Sequence, residues 1–500
     1  MKYDVIFINS QPELNVKQRG AGPHLLASEL RRHGYSALVL DFIEYWTMEE
    51  FKQAIDKFSG PNTMYVGFSI TWARLGLLSD EGRVGAQRQI EDDLSKEVVL
   101  GNYIQEGKLH EMVDHILAKG IKVIFGGSKA SQVRDMLPLD KIEHIFVGYS
   151  ETQLIDMVKG ERILNKVVNH DTKAHADHTG YDFSVAKMEM QPENFVTPNE
   201  ILAIECSRGC RFKCKFCSYP LIGMKSVAAY TKTKENFRDQ LLRNYEMFGV
   251  TKYSFVDDTF NDTTEKVRLF TEVVDSLPFD IKVWAYLRAE IIAKNPEQIE
   301  LLKTLGIAQC FFGVETYNQT AGRSVGKGMD PERIKEMLYN CKHSWKGQTH
   351  IQQGLIIGLP TETEESIMET IEWCASDECP VDSTVLSSLA IVPEFVREKF
   401  HVHNVSEFDR TYADYGYRFP HLNHPDRDNM GIKDIMPLVI WEKDDGGIPS
   451  LLKAHEIAQK YQPIVMNKKS LYEPSLGIQY GSFTDLKDIR ENYVAKVLAL

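Results

Sequence analysis

Residues 201–217 read ILAIECSRGCRFKCKFC, a short apolar run followed by a loop that carries four of the chain's eight cysteines. The run Ile201–Glu205 predicts a β-strand, so the loop lies at that strand's carboxyl end. Barrels of alternating strands and helices build their active sites at this end. Thiolates are ligands for zinc or iron–sulfur clusters. The stretch therefore predicts a metal-containing site mounted on an α/β framework.

The chain after this loop repeats the same strand-then-helix unit. Further strands are predicted at Lys252–Val256, Ile281–Tyr286, Ala308–Val314, His350–Ile357 and Thr384–Ile391, with amphipathic helical segments between them. Six consecutive units of this kind form a parallel sheet curved into a partial (β/α)6 barrel of the TIM type. We therefore assign a barrel domain to residues 199–392.

The chain before the loop also alternates strands and helices. Strands are predicted at Tyr3–Ile8, Ala37–Asp41, Met64–Ile70, Lys122–Phe125 and His144–Val147, and helices at Pro23–His33, Met48–Phe58, Glu106–Lys119 and Thr152–Lys159. Continuous apolar strands separated by amphipathic helices indicate a parallel sheet covered on both faces. Residues 1–160 are thus predicted to form a doubly wound, Rossmann-like α/β domain, which binds ligands beyond the carboxyl ends of its strands.

The remaining segments carry weaker patterns. Residues 161–198 have little periodicity and predict a linker, whose His170, His175 and His178 favour a polar surface over a metal site. Residues 73–102 resemble an inserted helical excursion, long and charge-rich for a connection in such a fold. Residues 393–500 predict a small mixed C-terminal region that shapes the substrate pocket, with helical runs at Ile448–Tyr461 and Phe483–Leu500.

Composition excludes several classes of protein. The chain has 500 residues, 43% of them apolar and 26% charged, as ordinary globular domains do. Its net charge of −13 repels phosphate backbones, so non-specific nucleic-acid binding is not expected. Apolar runs are too short to span a membrane, and the first nine residues read as a strand instead of a signal peptide. We expect a cytoplasmic protein with reduced thiols.

The cysteine loop offers two metal chemistries. Cys210, Cys214 and Cys217 supply three thiolates at the spacing Cys-x3-Cys-x2-Cys, which suits a 4Fe-4S cluster with one iron left open to a small molecule. Adding Cys206 gives four thiolates, enough for a structural zinc ion. We expect nearby basic residues to keep the thiolates ionised; these are Arg208, Arg211, Lys213 and Lys215.

The loop resembles that of the radical S-adenosylmethionine (SAM) enzymes. Its Ser207-Arg208-Gly209 start is similar to the branch with an N-terminal cobalamin (vitamin B12)-binding domain. Four further stretches resemble motifs of that branch, and they cover residues 255–260, Arg288-Ala289-Glu290, Gly313-Val314-Glu315-Thr316 and 354–363, where Thr361 replaces the usual glycine.

This resemblance implies two cofactors besides the cluster. Residues implied in SAM binding are Phe216, Asp257, Asp258, Arg288, Glu315, Ile356 and Gly358: an aspartate for the ammonium, Arg288 for the carboxylate, Glu315 for the ribose and the backbone near Gly358 for the adenine. Residues implied in cobalamin binding are Gly20, Ser69, Gly126, Gly127, Gly148 and Glu151. Because the chain lacks an Asp-x-His-x-x-Gly motif, no histidine ligand to cobalt is expected.

The resemblance implies an enzyme that cleaves SAM to a 5′-deoxyadenosyl radical and methylates an unactivated carbon with cobalamin. Alternatives are a radical rearrangement or cyclisation without methyl transfer, and a non-catalytic metal-binding or sensor protein. A methylthiotransferase is disfavoured because residues 1–205 contain no cysteine for a second cluster. A small molecule or peptide is the implied substrate, and flavodoxin or ferredoxin the implied electron donor. The sequence leaves the substrate's identity and the oligomeric state open.

Overall fold

A computed structural model of the chain describes residues 1–10, 18–71, 106–163, 165–170, 181–219, 230–346, 348–402, 405–430, 436–466 and 486–500. The predicted insertion at 73–102 and the linker residues His175 and His178 lie outside the described residues. No helix within these ranges is long and apolar enough to cross a bilayer.

The first domain is built on a six-stranded parallel sheet with the order β2-β1-β3-β4-β5-β6. Its strands are β1 (Val5–Asn9), β2 (Ala37–Leu40), β3 (Tyr65–Ser69), β4 (Lys122–Gly126), β5 (His144–Gly148) and β6 (Val167–His170), and its helices are Ala21–Arg32, Met48–Phe58, Glu106–Leu117 and Glu151–Val158. Separate apolar cores cover the two faces of the sheet. The predicted doubly wound domain is confirmed.

Local sequence explains where a helix of this domain begins. The Thr47 side chain accepts a hydrogen bond from the Glu50 backbone N–H, and the Glu50 side chain accepts one from the Thr47 N–H. This reciprocal capping box satisfies two donors that the first helical turn leaves unpaired. Each of the five residues of β1 is buried, as expected for a central parallel strand.

Parts of the segment predicted as a linker, residues 161–198, form regular structure and pack on both domains. Residues Val167–His170 form β6, which pairs with β5 and extends the first sheet by one edge strand. Farther along, Phe183 and Ala186 pack against Leu25, and Met188 and Met190 enter the core of the second domain. This part of the linker is therefore packed between the two domains.

The second domain is a six-stranded parallel sheet with the order β12-β11-β10-β9-β8-β7. Its strands are β7 (Ile201–Ile204), β8 (Lys252–Phe255), β9 (Lys282–Leu287), β10 (Ile307–Glu315), β11 (His350–Ile357) and β12 (Ser383–Ser388), and its helices are Lys234–Phe248, Thr264–Asp275, Ala289–Lys294, Gln298–Thr304, Gln319–Ser324, Pro331–Ser344 and Glu364–Ala375. Strands β7 and β12 are the two edges, so the barrel is partial, as predicted.

Each strand of this sheet divides its side chains between two faces. In β9, Val283, Ala285 and Leu287 are buried in the core shared with the helices, whereas Trp284 and Tyr286 point to the opposite face. We call this second face, which continues across the neighbouring strands, the concave face.

Different parts of the C-terminal region pack on different domains. Helices Phe408–Thr411 and Leu451–Met466 and the antiparallel pair of β13 (Tyr417–Arg418) and β14 (Glu442–Lys443) pack on the barrel domain. Helices Glu394–Lys399 and Met436–Val439 pack against each other in a small apolar cluster. The last helical segment, 486–499, instead packs on the first sheet through Ile489, Tyr493, Val494 and Val497. The assignment of all of 393–500 to substrate shaping is therefore wrong for this segment, because its apolar face belongs to the N-terminal core.

The open edge of β12 is closed by one side chain of helix Leu451–Met466. The Leu386 backbone N–H donates to Gln462 Oε1 at 2.7 Å, and Gln462 Nε2 donates to the Thr384 carbonyl at 2.8 Å. The Gln462 amide thereby occupies positions that another strand would take, which protects the edge from pairing with a second chain.

Replacing this amide is expected to destabilise the fold. Gln462→Met removes both hydrogen bonds and leaves the Leu386 N–H and Thr384 carbonyl unpaired, a cost of about 1–3 kcal/mol. Urea unfolding measures it. Gln459→Met, at an exposed position of the same helix, is the matched control and should be neutral. Equal stability of the two variants would contradict the edge-closing role.

Candidate active site

The cysteine loop begins where β7 ends and lies at the carboxyl edge of the barrel sheet. Cys210, Cys214 and Cys217 are half-buried, and the Cys210 Sγ lies 3.4 Å from Thr259 Oγ1. Burial raises the pKa of the Cys217 thiol to about 12. Gly209, with φ of +79°, makes the turn before the first of the three. The three thiols thus belong to one loop at this edge of the sheet.

Cys206 does not share this position. Its side chain is fully buried in the apolar core of the barrel domain, and its backbone N–H donates to Asp257 Oδ2 at 3.1 Å. Within the described ranges, no three His, Cys, Asp or Glu side chains converge as ligands of one metal ion. The packing of Cys206 removes the fourth ligand that the zinc interpretation requires.

The two aspartates after β8 have different roles. Asp257 accepts hydrogen bonds from the Cys206 N–H and from the N–H and hydroxyl of Ser207, so its carboxylate anchors the start of the loop. Lys266 supports this anchor by donating to the Ser207 hydroxyl at 2.9 Å. Asp258 lies beside it, and burial and the nearby Asp257 carboxylate raise the pKa of Asp258 to about 7. A cationic ligand would favour its ionised form.

The basic side chain that reaches a motif cysteine is Arg288. Its guanidinium donates to Cys214 Sγ at 3.1 Å and to the Gly326 carbonyl at 3.1 Å, pairs with Glu290 at 3.2 Å and stacks on Phe212. The sequence placed Arg288 on the SAM carboxylate; its position beside a cysteine sulfur was missed. Arg-Ala-acidic spacing alone does not reveal this contact.

In the described part of the chain, the side chains of the four basic residues expected to keep the thiols ionised do not hydrogen-bond to the motif cysteines. Arg211 and Lys213 are exposed, Lys215 pairs with Tyr415 and Glu407, and Arg208 is occupied by two carboxylates. That expectation is therefore wrong for Arg208, because burial commits its charge to partners elsewhere.

Glu315 ends β10 in an unusual backbone conformation. Its φ is +72°, the left-handed region that non-glycine residues seldom adopt, and the register with β11 shifts there. Its carboxylate folds back over Gly313, where an added Cβ would lie 2.7 Å from Glu315 Oε1. Lys327 approaches this carboxylate at 3.8 Å, and burial raises the pKa of Glu315. Such strain is concentrated at functional sites.

The motif at residues 354–363 differs from expectation at Gly358. Gly358 has φ of +98°, but an added Cβ would lie 2.8 Å from the Trp441 indole, and its carbonyl accepts from the Tyr417 hydroxyl at 2.6 Å. The close approach attributed to adenine is therefore made by the C-terminal region. Thr361, which stands where the family has glycine, has φ of +65°. Phe216 and Ile356 are half-buried against the barrel core.

The residues implied in cobalamin binding lie at one edge of the first sheet. Ser69, Gly126 and Gly148 end β3, β4 and β5, and Gly127 follows β4. Gly20 precedes the helix after β1, and Glu151 begins the helix after β5. A Cβ added to Gly126 would meet no atom within 4 Å. The sequence thus brings all six to the carboxyl edge, where doubly wound sheets bind ligands.

Arg208 connects that edge to the cysteine loop. Its guanidinium is buried and pairs with Glu151 at 2.5 Å and with Glu205 at 3.0 Å. It also lies over two aromatic rings, with centroids at 4.2 Å for Tyr149 and 4.5 Å for Phe183. Because Glu151 belongs to the first domain and Arg208 stands two residues before Cys210, the two candidate sites are mechanically joined.

The C-terminal region touches the loop from another side. The Phe408 backbone N–H donates to the Lys215 carbonyl at 3.0 Å, and the Lys215 side chain bonds the Tyr415 hydroxyl. Residue 215 lies between two of the motif cysteines. Residues 408–415 of the C-terminal region therefore contact the cysteine loop.

Comparison with known sequences identifies the barrel. The Radical SAM superfamily matches residues 204–374. Bacteriochlorophyllide d C-12(1)-methyltransferase of Chlorobaculum tepidum is 24% identical over 61% of this chain and 66% of its own length. Hopanoid C-2 methylase of Rhodopseudomonas palustris is 28% identical over 55% of this chain and 52% of its own. The chain spans about a third to two thirds of the curated relatives it matches.

Solved structures share this fold over all or most of the chain. TsrM of Kitasatospora setae, a radical SAM methyltransferase solved with cobalamin and a [4Fe-4S] cluster, aligns over 100% of this chain and 99% of its own, with a TM-score of 0.61 and 13% identity. The cobalamin-dependent SAM radical enzyme OxsB aligns over 76% of this chain and 53% of its own, with a TM-score of 0.52 and 16% identity. At these identities the likeness concerns the fold.

A buried carboxyl group next to the site predicts a pH dependence. Glu362, in the motif at residues 354–363, accepts a hydrogen bond from the Thr316 hydroxyl at 2.7 Å. Burial raises the pKa of Glu362 to about 7. A folded-state pKa above the unfolded one makes the carboxyl destabilise the fold as pH rises from about 4.5 to 7.

The amide side chain of the Glu362→Gln variant cannot titrate. The unfolding free energy of the variant minus that of the native chain should therefore rise by about 1–3 kcal/mol between pH 5 and pH 8. Urea unfolding at both pH values measures the difference. The exposed Glu365→Gln is the control and should show a constant difference. If the Glu362→Gln difference is also constant, the carboxyl is not held in its neutral form.

Proposed function

We propose that this chain, whose residues 204–374 form a radical SAM domain, cleaves SAM reductively and methylates an unactivated carbon with the help of cobalamin. The observation that carries this proposal is the arrangement of Cys210, Cys214 and Cys217 in one loop at the carboxyl edge of the barrel. That loop is joined through Arg208 to the glycine-lined edge of the N-terminal sheet.

Cys210, Cys214 and Cys217 would hold a 4Fe-4S cluster, and with three protein ligands for four irons such a cluster would have one iron available for SAM. When bound, the reduced cluster supplies the electron that splits SAM into methionine and a 5′-deoxyadenosyl radical, and cobalamin carries a methyl group from a second SAM. Arg288 donates a hydrogen bond to the Cys214 Sγ and thereby positions this cysteine in the loop. The Thr259 hydroxyl, which donates to the Asp258 carbonyl, lies 3.4 Å from the Cys210 Sγ and helps to position it.

Two acidic residues of the chain bind different groups of SAM. Asp258 binds the ammonium group, because the Asp257 oxygens are already taken by the loop. Glu315 accepts from the ribose hydroxyls while Lys327 fixes its carboxylate over Gly313. Phe216 and Ile356 supply apolar contact for the adenosyl group. Gly358 acts indirectly, by letting Trp441 close on the end of β11.

Cobalamin is assigned to the carboxyl edge formed by Gly20, Ser69, Gly126, Gly127 and Gly148. Glu151 is committed to Arg208, so its role there is to position the edge against the loop. Support comes from the relatives, two of which are named a methyltransferase and a methylase. The absence of an Asp-x-His-x-x-Gly sequence predicts binding without a protein histidine on cobalt.

The reaction needs an electron, for which a flavodoxin or ferredoxin is the proposed donor. The eight cysteines are all free thiols, which fits a reducing compartment such as the cytoplasm. A radical rearrangement or cyclisation would use the same cluster and SAM contacts, and it differs in forming no S-adenosylhomocysteine.

Cluster content tests the ligand assignment directly. Anaerobic reconstitution of the full chain should give about four irons per chain and an absorbance band at about 400 nm from thiolate-to-iron charge transfer. Cys214→Ser should lose both, whereas Cys206→Ser, the buried control, should keep them. With dithionite and SAM, the reconstituted chain should release 5′-deoxyadenosine. One zinc per chain, or a full cluster in Cys214→Ser, would refute the assignment.

Gly126 offers a steric test of the cobalamin edge. Because the space beyond its Cα is open, Gly126→Phe should place a ring in the proposed site and weaken hydroxocobalamin binding at least about tenfold, the equivalent of 1.4 kcal/mol. Equilibrium dialysis with the full chain measures this. Ala118→Phe, exposed near the opposite edge of the sheet, is the control and should bind normally. Equal affinity in both variants would place cobalamin elsewhere.

A further inference from the structure

The concave face of the barrel carries a row of aromatic side chains. Trp284 and Tyr286 project from β9 and Phe311 from β10, where Phe311 lies directly opposite Tyr286 in the parallel register. The ring centroids of Trp284 and Tyr286 are 4.5 Å apart, and those of Tyr286 and Phe311 are 5.5 Å apart, both in edge-to-face geometry. We call these three residues the aromatic layer.

Part of the aromatic layer is exposed to solvent. Tyr286 is 38% exposed, and Val256, at the end of β8, is 37% exposed. The interior of a barrel of this type is ordinarily filled by layers of packed side chains. Large apolar side chains with this much exposure on a concave face therefore mark space for a ligand.

A glycine on the next strand fixes how one ring is presented. A Cβ on Gly354 of β11 would lie 2.5 Å from the Phe311 ring, so only glycine lets that ring lie against the strand. Gly354 pairs with Gly313 in the parallel register, two residues beyond Phe311 toward the carboxyl end of β10. The space beside both glycines is filled, by the Phe311 ring at Gly354 and by the Glu315 carboxylate at Gly313.

Charge is distributed unevenly along this face. Within β8–β11, charged and ionisable side chains on the concave face stand at the strand ends: Lys252, Lys282 and His350 at the starts, and Glu315 at the finish. The middle, where the aromatic layer lies, is neutral. A ligand there is selected by apolar and π contacts, while its polar groups face the carboxyl edge.

We propose that the aromatic layer binds a planar, uncharged, conjugated ring of the substrate. This inference rests on the proposed function, and it names the class of compound that the site accepts. A further aromatic ring can pack edge-to-face on the layer, because each ring in the layer presents a face or an edge to its neighbour. The substrate carbon that reacts would lie between this ring and the cysteine loop.

The adenine of SAM is the other planar ring that could occupy the layer, and the experiment separates the two. The probes are 1-naphthol and its saturated counterpart decahydro-1-naphthol, which match in size and charge and differ in conjugation. Binding of each to the cluster-loaded full chain is measured by calorimetry with SAM present. We expect 1-naphthol to bind about threefold to tenfold more tightly than the saturated compound.

Three variants test the layer itself. Tyr286→Ala should weaken 1-naphthol about threefold to tenfold, whereas Tyr286→Phe, which keeps the ring, should retain binding. Phe311→Leu gives an independent loss if Tyr286→Ala does not fold. SAM affinity should be unchanged in all three.

Equal binding of the two probes would overturn the proposal, as would a loss of SAM affinity in the ring-deleting variants, which would assign the layer to adenine. These measurements need no SAM cleavage, so they succeed or fail independently of the proposed reaction.

Discussion

The buried charge of Arg208 is the interaction on which the arrangement of the two domains depends. An arginine removed from water must be paired, and removing one partner of a buried pair costs about 3–5 kcal/mol. Arg208 finds Glu151 in the first domain and Glu205 at the end of the first barrel strand. The carboxyl edge of the N-terminal sheet is thereby held next to the cysteine loop.

A second buried arginine repeats this solution at another point of the junction. Arg19 pairs with Asp41 at 2.5 Å and with Glu200 at 2.7 Å, and its guanidinium lies 4.8 Å from the centroid of the Tyr493 ring. Asp41 belongs to the first domain, Glu200 precedes the first barrel strand, and Tyr493 comes from the C-terminal helical segment. Three distant parts of the chain meet at one charge, which explains why that segment docks on the N-terminal sheet.

Much of the fold could be predicted because it depends on local patterns. Continuous apolar strands and amphipathic helices identified both parallel sheets, and the cysteine spacing located the site at a strand end. The edge strand β6 was missed because Val167–His170 is too short to show a pattern. The partners of Arg288 and Gly358 were missed for another reason: Cys214 and Trp441 are more than 70 residues away, and no periodicity encodes such contacts.

The central claim is that the two domains form a single site, and the magnetic interaction between their cofactors tests it most directly. Cob(II)alamin and the reduced cluster are both paramagnetic, so electron paramagnetic resonance detects their proximity. In the full chain loaded with both, the cob(II)alamin signal should broaden or split when the cluster is reduced, and this change should vanish in Cys214→Ser. A cob(II)alamin signal unaffected by cluster reduction would contradict the account.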